Sequence, residues 1–256
     1  MFKLRSFFGA AALLAWPAIL SAQTSVSPQT VQTAHHFTLH HTTSATINYL
    51  LFLPKGCEVK GEQRWPLILF LHGAGERGTD VWKVAVHGPP REVTTHPDFP
   101  FIVVAPQCPE GQIWSNDALI GLLDDIQHSY PVDAKRVYLT GLSMGGYGTW
   151  ELGLSYPERF AAIAPICGGG NLITSLLTSF EPTRAAAARS LGVWAFHGGK
   201  DPVVPLSESQ RMVDWLKDHG VSDVKLTVYP EAQHDSWTQA YRNPELYDWF
   251  LKHQRK

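Results

Sequence analysis

Two kinds of apolar pattern alternate along this chain. Short unbroken runs at residues 66–71 (PLILFL) and 101–105 (FIVVA) leave no polar position to face water. Strands buried on both faces of a parallel sheet need that pattern. Elsewhere the apolar residues fall at helical spacing. Leu119, Leu122, Leu123 and Ile126 form one stripe and predict a helix over residues 118–128. The same reading predicts further strands at 36–40, 45–53, 136–140, 160–166, 191–196 and 224–229. Helices are expected from the turn at 141–146 to about Tyr156, over 207–217 ending near Gly220, and over 246–253. Strands separated by helices require crossover connections. The predicted fold class is therefore α/β, a mostly parallel central sheet with helices on both faces.

The first residues read differently. Lys3 and Arg5 precede an apolar stretch at 7–20 that carries no charge. At about fourteen residues the stretch is short for a bilayer span but suits a secretory signal core, and Gly9 and Pro17 would weaken a permanent membrane helix. Cleavage is expected after Ala22, giving a signal peptide at 1–22 and a single domain at 23–256. No Cys follows the run, which argues against a lipid anchor. The mature protein is expected to be exported, to the periplasm or the outside, with no stable membrane anchor. Its charge shifts from −2 to 19 basic against 23 acidic side chains.

Composition narrows the class further. With 256 residues, 44% hydrophobic and 17% charged, the chain has ample apolar material for one core. Collagen-like, coiled-coil and disordered readings are excluded. No basic run exists to attract nucleic acid.

The chemistry concentrates at Gly141-Leu142-Ser143-Met144-Gly145, a G-x-S-x-G pattern where a strand hands over to a helix. A serine there is forced into a tight turn that exposes its hydroxyl, and a Cβ at either glycine would crowd the turn. Such a hydroxyl needs a base, and for this turn the chain order is Ser, acid, His. Four histidines follow Ser143. His219 marks a helix end, His253 falls in a frayed basic tail, and His197 precedes any plausible acid. His234, on the loop after the last strand, is the candidate base. Asp201, on a Gly- and Pro-shaped loop, is the candidate acid, preferred to Asp235 and Glu231 because a residue so close to the histidine points away from its ring. The Gly-rich segment Leu71-His72-Gly73-Ala74-Gly75 offers the Ala74 N–H as one oxyanion donor, and the Met144 N–H is the other.

These motifs make the sequence similar to the α/β-hydrolase superfamily. It resembles the compact esterases of the phospholipase/carboxylesterase, feruloyl-esterase and polyhydroxybutyrate-depolymerase-like groups. The resemblance runs from about Trp65 onward, on LFLHGAGERG, VYLTGLSMGGYGTW, PERFAAIAPICGGG, WAFHGGKDPVVP and YPEAQHDSW. It implies Ser143 as nucleophile, Asp201 as acid, His234 as base, and Ala74 and Met144 as oxyanion donors. Dienelactone hydrolases look similar but carry Cys where this chain has Ser143. The expected activity is hydrolysis of carboxylic esters, small or polymer-linked, without a cofactor. Two alternatives stand beside it. One is a serine peptidase resembling the prolyl oligopeptidase catalytic domain, although no propeller precedes the catalytic part. The other is a non-catalytic binding protein on the same fold.

Four further features carry expectations. Trp114 and Trp237 are candidate pocket walls. His35, His36, His40 and His41 suggest a metal at first, but adjacent strand residues point to opposite faces and no acid or Cys completes a ligand set, so no metal is expected. Cys108 and Cys167 could pair in an oxidising compartment or stay free, and Cys57 would remain alone. The insertion between the strands at 160–166 and 191–196 contains a possible short helix at 172–180. It reads as too small and too polar for a lid, so an open site preferring short acyl chains is expected.

Overall fold

The apolar runs become the inner strands of one sheet. The computed structural model describes residues 46–255. Within them lie seven strands: Tyr49–Phe52 (β1), Trp65–Leu71 (β2), Ile102–Pro106 (β3), Val132–Leu142 (β4), Ala162–Ile166 (β5), Gly192–Gly198 (β6) and Val224–Tyr229 (β7). Their spatial order is β1-β3-β2-β4-β5-β6-β7, with β1 antiparallel to β3 and every other pair parallel. The chain thus has the mostly parallel α/β sheet expected from its patterning.

Among the described residues, eight α-helices cover that sheet: Gly88–Thr95 (α1), Asn116–Ser129 (α2), Met144–Ser155 (α3), Leu172–Ser179 (α4), Pro182–Ser190 (α5), Leu206–Asp218 (α6), Trp237–Arg242 (α7) and Pro244–Leu251 (α8). In β2, Leu67, Leu69 and Leu71 join the cluster that contains Leu123 of α2, Trp150 of α3 and Met212 of α6. The alternate residues Ile68 and Phe70 join Tyr241 of α7 and Phe250 of α8 on the opposite face. This two-sided burial explains the uninterrupted apolar run, because neither face of the strand meets water. Each such side chain contributes about 1.5–3 kcal/mol by leaving water. Helix ends follow local chemistry. The Ser115 hydroxyl accepts from the Ala118 N–H before α2, and the Asn243 side chain accepts from the Glu245 N–H before α8, where Pro244 takes the first helical position.

Register brings the strand ends that matter into line. Leu71 pairs with Gly141, Leu142 with Ile166, Ile166 with Phe196, and Gly198 with Tyr229. The loops leaving β2, β4, β5, β6 and β7 therefore share one edge, the carboxyl edge where α/β sheets place their ligands.

Several sequence expectations are corrected. The first described strand starts at Tyr49, later than residue 45. Helices α1, α5 and α7 were not anticipated, and α1 opens with Pro89 and Pro90 in its first turn. His253 is not in a frayed tail. Its Nδ1 lies 2.7 Å from the Trp249 carbonyl oxygen, and its Nε2 lies 2.5 Å from the Asp223 carboxylate. The carbonyl oxygen of His253 also accepts from the Tyr138 hydroxyl at 3.0 Å. The signal segment at 1–22, the strand at 36–40 and the histidines around it lie outside the described residues. Among the described residues, no helix is long and apolar enough to cross a membrane.

Candidate active site

Ser143 stands between β4 and α3 with φ 52° and ψ −116°, a backbone state that side chains other than glycine rarely take. Its N–H donates to the Ile166 carbonyl oxygen at 3.0 Å, which fixes the turn to β5. The glycines on either side are a steric necessity. A Cβ on Gly141 would lie 2.4 Å from the Gly145 carbonyl oxygen, and one on Gly145 would lie 1.9 Å from the Leu71 carbonyl oxygen.

The structure brings Ser143, His234 and Asp201 together from three separate loops. His234 Nδ1 lies 2.8 Å from Asp201 Oδ2, and its Nε2 lies 2.9 Å from Ser143 Oγ. A carboxylate only accepts, so Nδ1 carries the hydrogen and Nε2 is left to accept from the serine hydroxyl. Asp201 is fixed on its other oxygen as well, where Oδ1 accepts the N–H groups of Val203 at 2.8 Å and Val204 at 2.9 Å. Burial by itself would raise this carboxyl. The hydrogen bonds from His234, Val204 and Val203 outweigh it and hold Asp201 below the ordinary carboxylate value. Glu231 points away to an exposed pair with Lys200.

The loop after β2 lies beside the serine. A Cβ on Gly73 would come within 3.6 Å of Ser143 Cβ. Ala74 and Met144 each open a helical turn, a short 3₁₀ turn over Ala74–Glu76 for the first and α3 for the second. Their N–H groups are among those that a helix leaves without an internal acceptor. His72 holds this loop. Its buried ring accepts the Cys108 N–H on Nε2 at 2.9 Å, so Nδ1 bears the hydrogen and donates to the Gly73 carbonyl oxygen at 2.6 Å. Burial pushes His72 below the usual imidazole value, in keeping with that neutral tautomer. Gln107 adds two bonds, donating to the carbonyl oxygens of Glu76 and Asp80.

A cleft of about 1010 Å³ opens beside Met144, lined by Ile113, Trp114, Tyr147, Ile173 and Arg211 among others. Trp114 is thus a cleft wall. Trp237 lies outside this cleft, lining a small pocket with His87 and Arg91, and sets its ring edge-on to His234 at 5.3 Å and against His87 at 5.5 Å. Tyr147 and Arg211 escaped the sequence reading. Tyr147 sits one helical turn after Ser143, and that spacing was the available signal. The insertion is less polar than expected. It forms α4 and α5, and it exposes Ile173 at 64%, Leu177 at 60% and Phe180 at 70%. Helix α4 is also fixed in place, with Thr174 donating to Glu151 at 3.0 Å and Thr178 to the Leu154 carbonyl oxygen at 2.8 Å.

Cys57, Cys108 and Cys167 are all free thiols, so Cys108 and Cys167 do not pair. Cys167 lies behind the serine, and burial pushes its thiol up to about 12. Its sulfur, an Asp201 oxygen and a His234 nitrogen fall within 4.8 Å of one another, close enough for a metal. Two of the three are already joined by a hydrogen bond.

Residues 99–243 match the phospholipase/carboxylesterase family, over half of the chain. The chain belongs to that family. Its sheet and its neighbours among solved structures make it an α/β-hydrolase fold. A thermostable esterase is 34% identical with a TM-score of 0.67, over 83% of this chain and 60% of that one. Poly(3-hydroxyalkanoate) depolymerase C of Paucimonas lemoignei is 27% identical over 131 residues, 42% of this chain and 32% of that protein. The bifunctional acetylxylan esterase/xylanase XynS20E of Neocallimastix patriciarum is 28% identical over 132 residues, 50% of this chain and 17% of that protein. The chain thus matches a third or less of the length of these two curated relatives.

Proposed function

We propose that this α/β-hydrolase is an exported serine carboxylic-ester hydrolase working through an acyl-enzyme. The observation that carries the reading is the unbroken hydrogen-bond line from Ser143 through His234 to Asp201. In this reading Ser143 Oγ attacks the ester carbonyl while His234 Nε2 takes its proton. Asp201 holds the imidazole tautomer and stabilises the imidazolium. The N–H groups of Ala74 and Met144 receive the oxyanion charge. His234 then returns the proton to the leaving alcohol, and water releases the acyl group by the same steps in reverse. No cofactor enters this scheme.

The substrate class proposed is a short-chain ester or an acyl group carried by a polymer such as a polysaccharide. The open cleft beside Met144 supports it, as does the likeness to a polyester depolymerase and to an acetylxylan esterase. Export is supported by Lys3, Arg5 and the apolar stretch after them. Labelling by a fluorophosphonate, followed by a panel of esters and peptide amides, tests the reading. Labelling of Ser143 with esters turned over faster than amides is the expected result. Amide turnover exceeding ester turnover would favour a peptidase, and no labelling at neutral pH would favour a binding protein.

A further inference from the structure

Asp201 faces a second imidazole besides His234. His197, in β6, is fully buried, and its Nε2 lies 3.5 Å from the same Oδ2 that accepts from His234. The ring makes its close contact elsewhere. Nε2 is 2.9 Å from the Val204 carbonyl oxygen, which can only accept, so Nε2 bears a hydrogen. On the far side Nδ1 is 2.7 Å from the Ser209 hydroxyl of α6, whose oxygen is also 2.8 Å from the Gly168 carbonyl oxygen, so its single hydrogen is shared between the neutral ring and that carbonyl. Gly168 in turn presses on the first turn of α3, since a Cβ there would lie 2.5 Å from the Gly146 carbonyl carbon and 2.7 Å from the Tyr147 nitrogen. A buried polar line therefore joins the loop that carries Asp201 to the backbone behind the helix that Ser143 opens.

Val204 explains what the line accomplishes. Its N–H grips Asp201 Oδ1, and its carbonyl oxygen is gripped by His197. Residues 201–205 form no helix or strand, so the direction of the carboxylate depends on such side-chain anchors. The charge state fits as well. Burial pushes His197 below the ordinary imidazole value, against the pull of the Val204 carbonyl and Asp201. A neutral ring leaves the negative charge of Asp201 to His234, whereas a cation in that place would compete for it.

We propose that His197 is a positioning residue, setting the Asp201 carboxylate against His234 through Val204 and tying that setting to the Ser143 helix through Ser209. The inference rests on the reading of Ser143, His234 and Asp201 given under the proposed function.

Three variants test it: His197→Leu, His197→Gln and Ser209→Ala. Each is assayed for kcat and KM on p-nitrophenyl butyrate, for fluorophosphonate labelling rate, for thermal midpoint, and for the far-downfield proton resonance of His234 Nδ1–H. His197→Leu is expected to lose about 10²-fold in kcat, with KM little changed, because a small misplacement of the acid spoils the geometry of the base. Its downfield resonance should weaken or vanish. His197→Gln, whose amide can donate to the Val204 carbonyl in the place of Nε2, should recover most of the loss. Ser209→Ala keeps that bond and should lose about tenfold.

A His197→Leu protein that melts lower but keeps wild-type kcat and resonance would reduce His197 to a core residue. Gln performing no better than Leu would overturn the Val204 link. If the Leu variant does not fold, Ser209→Ala decides: a lowered kcat supports the inference, and wild-type kcat with an unchanged resonance overturns it. Wild-type protein that resists the fluorophosphonate overturns the proposed function itself. Labelled wild type with equally labelled variants overturns only the part played by His197.

Discussion

Gly145 and Leu71 touch through their backbones, so closely that a Cβ on the glycine would lie 1.9 Å from the Leu71 carbonyl oxygen. The end of β2 and the start of α3 can approach only because that carbon is missing. Gly145→Ala is expected to displace the serine turn, with loss of nearly all ester hydrolysis and a severe fall in thermal midpoint. Near wild-type melting and turnover in this variant would show that the two backbones part at little cost.

Ser143→Ala should remove nearly all activity while leaving the circular dichroism and melting intact, because it deletes only the hydroxyl. Ser143→Gly should be equally inactive yet more stable by about 1–3 kcal/mol, since glycine takes the φ of 52° without strain. Urea denaturation of both variants checks this. A glycine variant no more stable than the alanine one would mean that the turn holds no strain.

Asp201→Asn should cut kcat by about 10⁴, because an amide in that position favours the wrong tautomer of His234. Asp235→Asn should be mild. A damaging Asp235→Asn beside a mild Asp201→Asn would reverse the assignment of the acid.

Acid should destabilise the fold in two stages. His72 and His197 are held below the ordinary imidazole value by burial, so the unfolded chain binds protons there that the folded chain does not. Their contribution is complete above the unfolded value of about 6.5 and is lost as pH falls below it. Asp201 is held below its ordinary value by the bonds from His234, Val204 and Val203, which outweigh its burial. Its contribution is present above the unfolded value of about 3.9 and is lost as pH falls through the lower folded one. Urea midpoints measured from neutral pH downward should therefore drop first across the histidine range. A flat midpoint there would contradict the neutral, buried rings.

Chain length of the acyl group should matter in one direction. Two hydroxyl bonds tie α4 to α3 and oppose its swinging as a flap, although its apolar side chains are exposed. Turnover of p-nitrophenyl acetate and butyrate should exceed that of palmitate, with no rise at micelle formation. Fastest turnover of palmitate with a jump at the interface would make the insertion a lid.

The elements read most easily in the sequence were those with two dry faces or one clear stripe, such as β2, β3 and α2. Their physics is local. Helix α1 was missed because Pro89 and Pro90 look like a loop, yet proline suits a first helical turn, where its missing N–H costs nothing. His197 was set aside on chain order, which ranks candidates for the base and says nothing about a ring that braces the acid. His253 looked like a loose end because Asp223 and Tyr138, its anchors, lie 30 and 115 positions away in the chain. The apolar exposure of α4 was hidden by composition, since Thr174 and Thr178 face inward to helix α3 while Ile173 and Leu177 face out.

The Trp114 indole N–H donates to the His72 carbonyl oxygen at 3.3 Å, and its ring stands edge-on to His72 at 4.8 Å. The wall that would grade the size of the acyl group is thus bolted to the histidine that aims the loop beside Ser143. In the proposed reaction, selectivity and speed would share one mechanical part. Remodelling Trp114 to admit a different acid should change kcat as much as KM, so an engineer will retune the reaction each time the pocket is reshaped.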